Sequence, residues 1–169
     1  MNHLKILLTI CMHIHIIATQ LVTPVRINMD INYCFNLAMR KSARIITQFY
    51  EERLAVVGVK SGQFSLLRAV HYLKKTTNKE LQTILVIDQT TLSRNLKPLI
   101  RDGFLTVSPD EGDQRRKIIH LSSKGKKLYL KALPIWQKLQ QDLVKKMGIK
   151  ESEEIQRISK SLTNKLIQN

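Results

Sequence analysis

Two short helices with separate start signals, held within the stretch 77–103, set the tightest limit on how this chain can fold. Thr77-Asn78-Lys79-Glu80 is a capping box. In it a threonine hydroxyl accepts the third backbone amide of the helix, and a glutamate reaches back to the capping residue. The spacing predicts a short helix to about Leu85. Asp88 is a second N-cap signal, opening a helix that carries Thr90, Thr91, Ser93, Arg94 and Lys97 and ends at Asp102-Gly103. Two short helices across a tight turn, the second polar and basic on one side, follow helix-turn-helix logic.

The flanking segments complete the order. Phe104–Val107 and Lys117–Leu121 are β-favouring runs, and the turn-rich PDEGDQRR between them predicts a hairpin with a charged tip. Upstream, a helix is expected from Asp30 to about Leu54 with Phe35, Ala38, Ile45 and Phe49 on one side, closed near Gly58. A second runs from Ser61, read as its N-cap, to Lys74, with Phe64, Leu67, Val70 and Leu73 inward. Downstream, Ser122 or Ser123 caps a long helix with Leu128, Leu133, Trp136, Leu139 and Leu143 on its apolar side and Pro134 as a point of kinking; Gly148 ends it. A last amphipathic helix begins near Ser152, with Ile155, Ile158, Leu162 and Leu166 at spacings of three and four. The fold class is therefore mainly α with a small β-hairpin: four helices, the hairpin and two helices. Sparse glycine and proline (6 and 4) and 5% aromatics agree with it.

The net charge of +15 calls for a polyanionic partner, because each neutralised phosphate releases a condensed counterion. Charge alone does not separate DNA from RNA or an anionic membrane. Cys11 and Cys34 form no disulfide framework and no zinc-spaced cluster, so no metal is expected. The absence of a Gly-rich phosphate loop, a nucleophile elbow and paired carboxylates argues against an enzyme, so neither catalytic residues nor a cofactor are expected. Residues 1–28 differ from the rest: Ile6–Val22 is an apolar run broken by Thr9, His13, His15, Thr19 and Gln20. They read as an upstream extension with the functional chain starting near Met29, as an amphipathic or strand-like arm, or as a targeting segment. Without Lys5 and Arg26, the two charges in that stretch, the charge is still +13. The run is short for a spanning helix, so no stable membrane association and a cytoplasmic location are expected.

The order of elements, with a hairpin directly after the second helix of the helix-turn-helix, resembles the MarR family of bacterial regulators. The resemblance covers roughly Cys34 to Met147. It rests on Cys34-Phe35-Asn36-Leu37, Gln63-Phe64, the run Thr90 to Leu99, Arg101-Asp102-Gly103, Asp113-Gln114-Arg115-Arg116-Lys117, and Leu121-Ser122-Ser123-Lys124-Gly125. It implies a homodimer built from a first helix (29–60) and the last helices (122–169), with a winged helix-turn-helix domain (61–121) gripping double-stranded DNA. It also implies repression of nearby genes, released by a small phenolic effector or an oxidant. The sequence departs from the family in the turn, with Val86 where glycine is common and Gln82 where alanine usually packs. A β-branched residue resists the left-handed conformation, so a rearranged turn is expected there.

Thr90, Thr91 and Arg94 share one side of the recognition helix and are the candidates for base contacts, arginine preferring the paired acceptors of guanine. Ser93 and Lys97, four apart, are candidates for backbone phosphate. A merely solvated helix face competes with this reading. Arg115 is the candidate for the minor groove, Asp113 is expected to hold its guanidinium, and Arg116 is its substitute after a one-residue register shift. A charged loop tip with no groove role is the plainer alternative. Cys34 reads either as a buried structural cysteine or as a redox sensor. Trp136, His71 and Tyr72 read as core or as an effector pocket, and His13 and His15 are not expected to bind metal. The runner-up function is an effector-independent basic architectural or RNA-binding winged-helix protein, marked by weak selectivity and a steep salt slope.

Overall fold

A computed structural model describes residues 30–167 of the chain. The expectations for residues 1–28, with Cys11, His13 and His15, lie outside the described residues. The described residues fall into two units that part between Ser42 and Ala43. After a 3-10 turn at Ile31–Tyr33, the elements are α1 (Phe35–Leu54), α2 (Ser61–Leu73), α3 (Asn78–Leu85), α4 (Gln89–Arg101), β1 (Leu105–Pro109), β2 (Lys117–Leu121), α5 (Ser123–Met147) and α6 (Ile149–Ile167). The helices and the hairpin stand in the expected order.

The helix-turn-helix closes on apolar residues at helical spacing. Leu81 of α3 and Leu92, Leu96 and Leu99 of α4 join Phe64, Leu67 and Val70 of α2 in one buried cluster. Burying one such side chain contributes roughly 1.5–3 kcal/mol, so this cluster dictates how α4 is seated. From α5, Tyr129 and Ala132 complete the core, with Leu128, Leu133 and Trp136 packed against its edge.

The hairpin pairs antiparallel from Leu105 with Leu121 to Pro109 with Lys117. Thr76, in the link between α2 and α3, adds a bridge to Ile119 through N–H···O bonds of 3.0 and 2.7 Å. The wing is thereby stitched to the start of the helix-turn-helix. At the far end of β2, Gly125 lies against the chain at Phe104: a Cβ there would sit 1.9 Å from the Phe104 carbonyl oxygen. Only glycine allows that approach of α5 to the hairpin.

Three helix starts, one strand and one turn differ from expectation: β1 runs Leu105–Pro109, not Phe104–Val107, because Pro109 still pairs with Lys117. Helix α1 starts at Phe35, not Asp30, because the 3-10 turn precedes it. Ser61 is the first residue of α2, not its cap: Lys60 holds the extended cap conformation, and the Ser61 N–H and hydroxyl both donate to Glu51 Oε1, at 2.9 and 2.8 Å. Helix α6 starts at Ile149, directly after Gly148 at φ +95°, and the Ser152 hydroxyl donates back to the Gly148 carbonyl. The turn between α3 and α4 is not rearranged. Val86 accepts the left-handed conformation (φ 53°, ψ 51°) and donates its N–H to the Gln82 carbonyl.

Candidate nucleic-acid interface

The start of α4 is fixed by Asp88. One of its oxygens accepts the Thr91 backbone N–H at 2.8 Å, the other the Thr91 hydroxyl at 2.7 Å. These bonds, the backbone one foremost, hold the Asp88 carboxyl below its ordinary range. Thr91, half-buried, has therefore committed its hydroxyl proton to the cap and is left with acceptor lone pairs only.

Four-residue spacing draws two parallel rows along the outer side of α4: Gln89, Ser93 and Lys97, and beside it Thr90 and Arg94. All five line an open groove of about 810 Å³. Thr90, Arg94 and Lys97 are exposed, and neither cation is held in an ion pair among the described residues. Two charges free to meet an external anion lie beside hydroxyl and amide groups able to read an edge.

The hairpin tip separates its two arginines. Asp113 Oδ1 accepts the Arg115 backbone N–H at 3.0 Å, so it shapes the loop and does not grip the guanidinium as expected. A carboxylate two residues upstream reaches a backbone amide more easily than the end of a long side chain. The Arg115 side chain is exposed and in no ion pair among the described residues. Arg116 turns to the body of the molecule, 3.4 Å from Glu80 Oε1 and 3.9 Å from Asp110 Oδ2. The other Glu80 oxygen accepts the Thr77 N–H at 2.7 Å and the Thr76 hydroxyl at 3.0 Å. The Glu80 carboxyl lies below its ordinary range, chiefly because of the Thr77 amide, with Arg116 adding to the effect. Arg116 is thus placed as a tie between wing and capping box, and Arg115 as the arginine left to reach outward.

Three further groups were missed from the sequence. Lys117 of β2 shares a cleft of about 250 Å³ with Ser93 and Lys97, bringing a wing cation beside the recognition helix. Its place directly after Arg115-Arg116 was the available signal. The sequence marks Glu80 only as a cap, since nothing in it pairs Glu80 with a residue 36 positions away. Gln82 and Gln89 bond to each other across the turn, at 2.8 Å.

The remaining candidates fall elsewhere. Cys34 is exposed, directly before α1, which overturns the buried reading for the single chain. Trp136 packs at 6.2 Å from the Phe64 ring with the Arg68 guanidinium 4.3 Å from its own ring, while His71 stacks on Tyr129 at 4.2 Å. Tyr72 is 77% exposed, so the three do not converge on a pocket. Among the described residues no His, Cys, Asp and Glu cluster is arranged to hold a metal, and no helix is long and apolar enough to cross a membrane.

Residues 59–117 match the family model described as MarR family. An uncharacterised HTH-type transcriptional regulator of Bacillus subtilis is 30% identical over 91 residues, covering 54% of this chain and 66% of that protein. One of Staphylococcus aureus is 34% identical over 92 residues, covering 54% and 63%. The matched stretch thus spans just under two thirds of these relatives. The crystal structure of the M. tuberculosis transcriptional regulator MosR in complex with DNA is 30% identical and covers 78% of this chain and 94% of that one, with a TM-score of 0.69.

Proposed function

Because this chain belongs to the MarR family of winged helix-turn-helix, DNA-binding transcriptional regulators, we propose that it works as a homodimer on a pseudo-palindromic operator. In this reading it represses the adjoining genes in the cytoplasm until a small ligand or an oxidant releases it. The observation that carries the reading is the outer side of α4, where Thr90, Arg94 and Lys97 stand exposed and unpaired on a helix seated by buried leucines, with Lys117 of the wing alongside. A helix flanked by a hairpin that carries an unpaired arginine meets a major groove and the neighbouring minor groove together.

Helix α6 supports the two-fold arrangement. It has no buried residue, yet it carries Ile155, Ile158, Leu162 and Leu166 along its length. On α1, Phe35 and Ile45 are likewise exposed. Apolar stripes of this extent need a partner surface, and a second copy presents matching ones. A cleft of about 460 Å³ between α1, α5 and α6, lined by Leu143, Met147 and Ile155 and by the bonded Tyr50 and Gln140, has the size of a small-ligand site. The exposed Cys34 is the oxidant-sensitive group in this scheme.

Selection of bound duplexes from a random library, with sedimentation of the free protein, tests the proposal. Expected are a dimer and an inverted repeat with half-sites about one helical turn apart. A monomer, or a library returned without enrichment, refutes it. Peroxide that releases the wild type and spares Cys34→Ser identifies the oxidant arm; equal release of both removes Cys34 from the scheme.

A further inference from the structure

Gln89 is the first residue of α4 and heads the row that continues through Ser93 and Lys97 along the groove. It is exposed, and its amide oxygen accepts a 2.8 Å hydrogen bond from Nε2 of Gln82, which lies in the last turn of α3. A free glutamine at such a place samples many rotamers. This one is held from across the turn, and the hold is geometric: the Gln82 donor occupies one lone pair of the Gln89 oxygen. The second lone pair and both Nε2 hydrogens remain for another partner. A carboxamide presented in that way, one acceptor beside one donor in a plane, is complementary to the N6 amino group and N7 of adenine in the major groove. Guanine offers two acceptors at the same edge and matches it poorly.

We propose that Gln89 is a specificity-determining residue selecting adenine at one position of each half-site, and that Gln82 is the positioning residue that orients its amide. This rests on the sequence-specific regulator reading given above and assigns one base of the operator to one side chain. The placement agrees with recognition helices in general, whose first turn reaches base edges most directly. It also gives the Gln82 side chain a role, since its Nε2 is the donor that holds the Gln89 amide. Arg94, five residues further on, keeps its separate preference for guanine.

The test uses the full chain and four proteins: wild type, Gln89→Ala, Gln82→Ala and the double variant. Each is taken through duplex selection and then titrated against the wild-type motif and its single-base substitutions. A bidentate amide–adenine pair discriminates roughly 5- to 100-fold. Gln89→Ala is expected to erase that preference at a single position per half-site and leave the others in place. Gln82→Ala, which removes only the orientation, should lower the same preference by roughly 2- to 10-fold, and the double variant should behave as Gln89→Ala does. Replacing that adenine with 7-deazaadenine should affect the wild type and not Gln89→Ala. An unchanged motif in Gln89→Ala overturns the inference alone. A Gln82→Ala protein that weakens on all duplexes equally overturns the positioning role. A wild type that enriches no motif overturns the regulator reading and this inference with it.

Discussion

Val86 sits in a conformation that its branched side chain resists, with φ at 53°. The left-handed region costs an L-residue roughly 1–2 kcal/mol, of which glycine gives back part through its freer unfolded chain. Val86→Gly is therefore expected to raise stability by about 0.5–1 kcal/mol in urea unfolding with DNA binding retained; a less stable variant would mean that Val86 is not strained. The family resemblance marks position 86 as one where glycine is common and valine stands, but does not show that the turn keeps its shape. That outcome is set by the buried leucines on either side, Leu81 and Leu92, which position α3 and α4 whatever the residue between them. Gly125 was legible only as part of a resemblance, because its reason is a carbonyl oxygen distant in sequence.

Among the elements, the wing and the helix-turn-helix share one electrostatic joint. Glu80 caps α3 through Thr77 and meets Arg116 from the hairpin, while Asp88 caps α4. Both carboxyls have pKa values lowered by folding, so the unfolded chain takes up their protons more readily. The stability they confer is present above the ordinary carboxylate range and is lost as the pH falls through and below it. The thermal midpoint is expected to drop between about pH 5 and pH 3, and to drop less steeply in Glu80→Gln; parallel curves would exclude Glu80 as a contributor. The capping signals of α3 and α4 were readable because each lies within four residues of its partner. The start of α2 is not legible at Ser61 because the group that satisfies its N–H, Glu51, comes from another helix. The roles of Arg115 and Arg116 could not be separated from sequence either, since adjacent residues differ only in the direction the loop turns them.

At the scale of the whole molecule, the apolar residues left exposed are as informative as those buried. The alternation that forecast α6 was correct, yet none of its residues is buried in the single chain. Periodicity marks which side of a helix is apolar and is silent on whether the same chain or another covers it. If a second copy does, Leu162→Asp should dissociate the dimer in sedimentation while each monomer keeps its helical content, because the residue is 40% exposed and supports no core. A dimer unaffected by this charge would move the interface elsewhere.

The most direct measurement compares binding of wild type and Arg94→Ala to the selected duplex and to a scrambled duplex of equal length, near physiological salt. The wild type should favour the selected duplex by about a thousandfold or more. Arg94→Ala should narrow that gap roughly 5- to 100-fold while binding the scrambled duplex nearly as before. Equal affinity of the wild type for both duplexes would contradict the account, leaving a basic protein that holds polyanions without reading them.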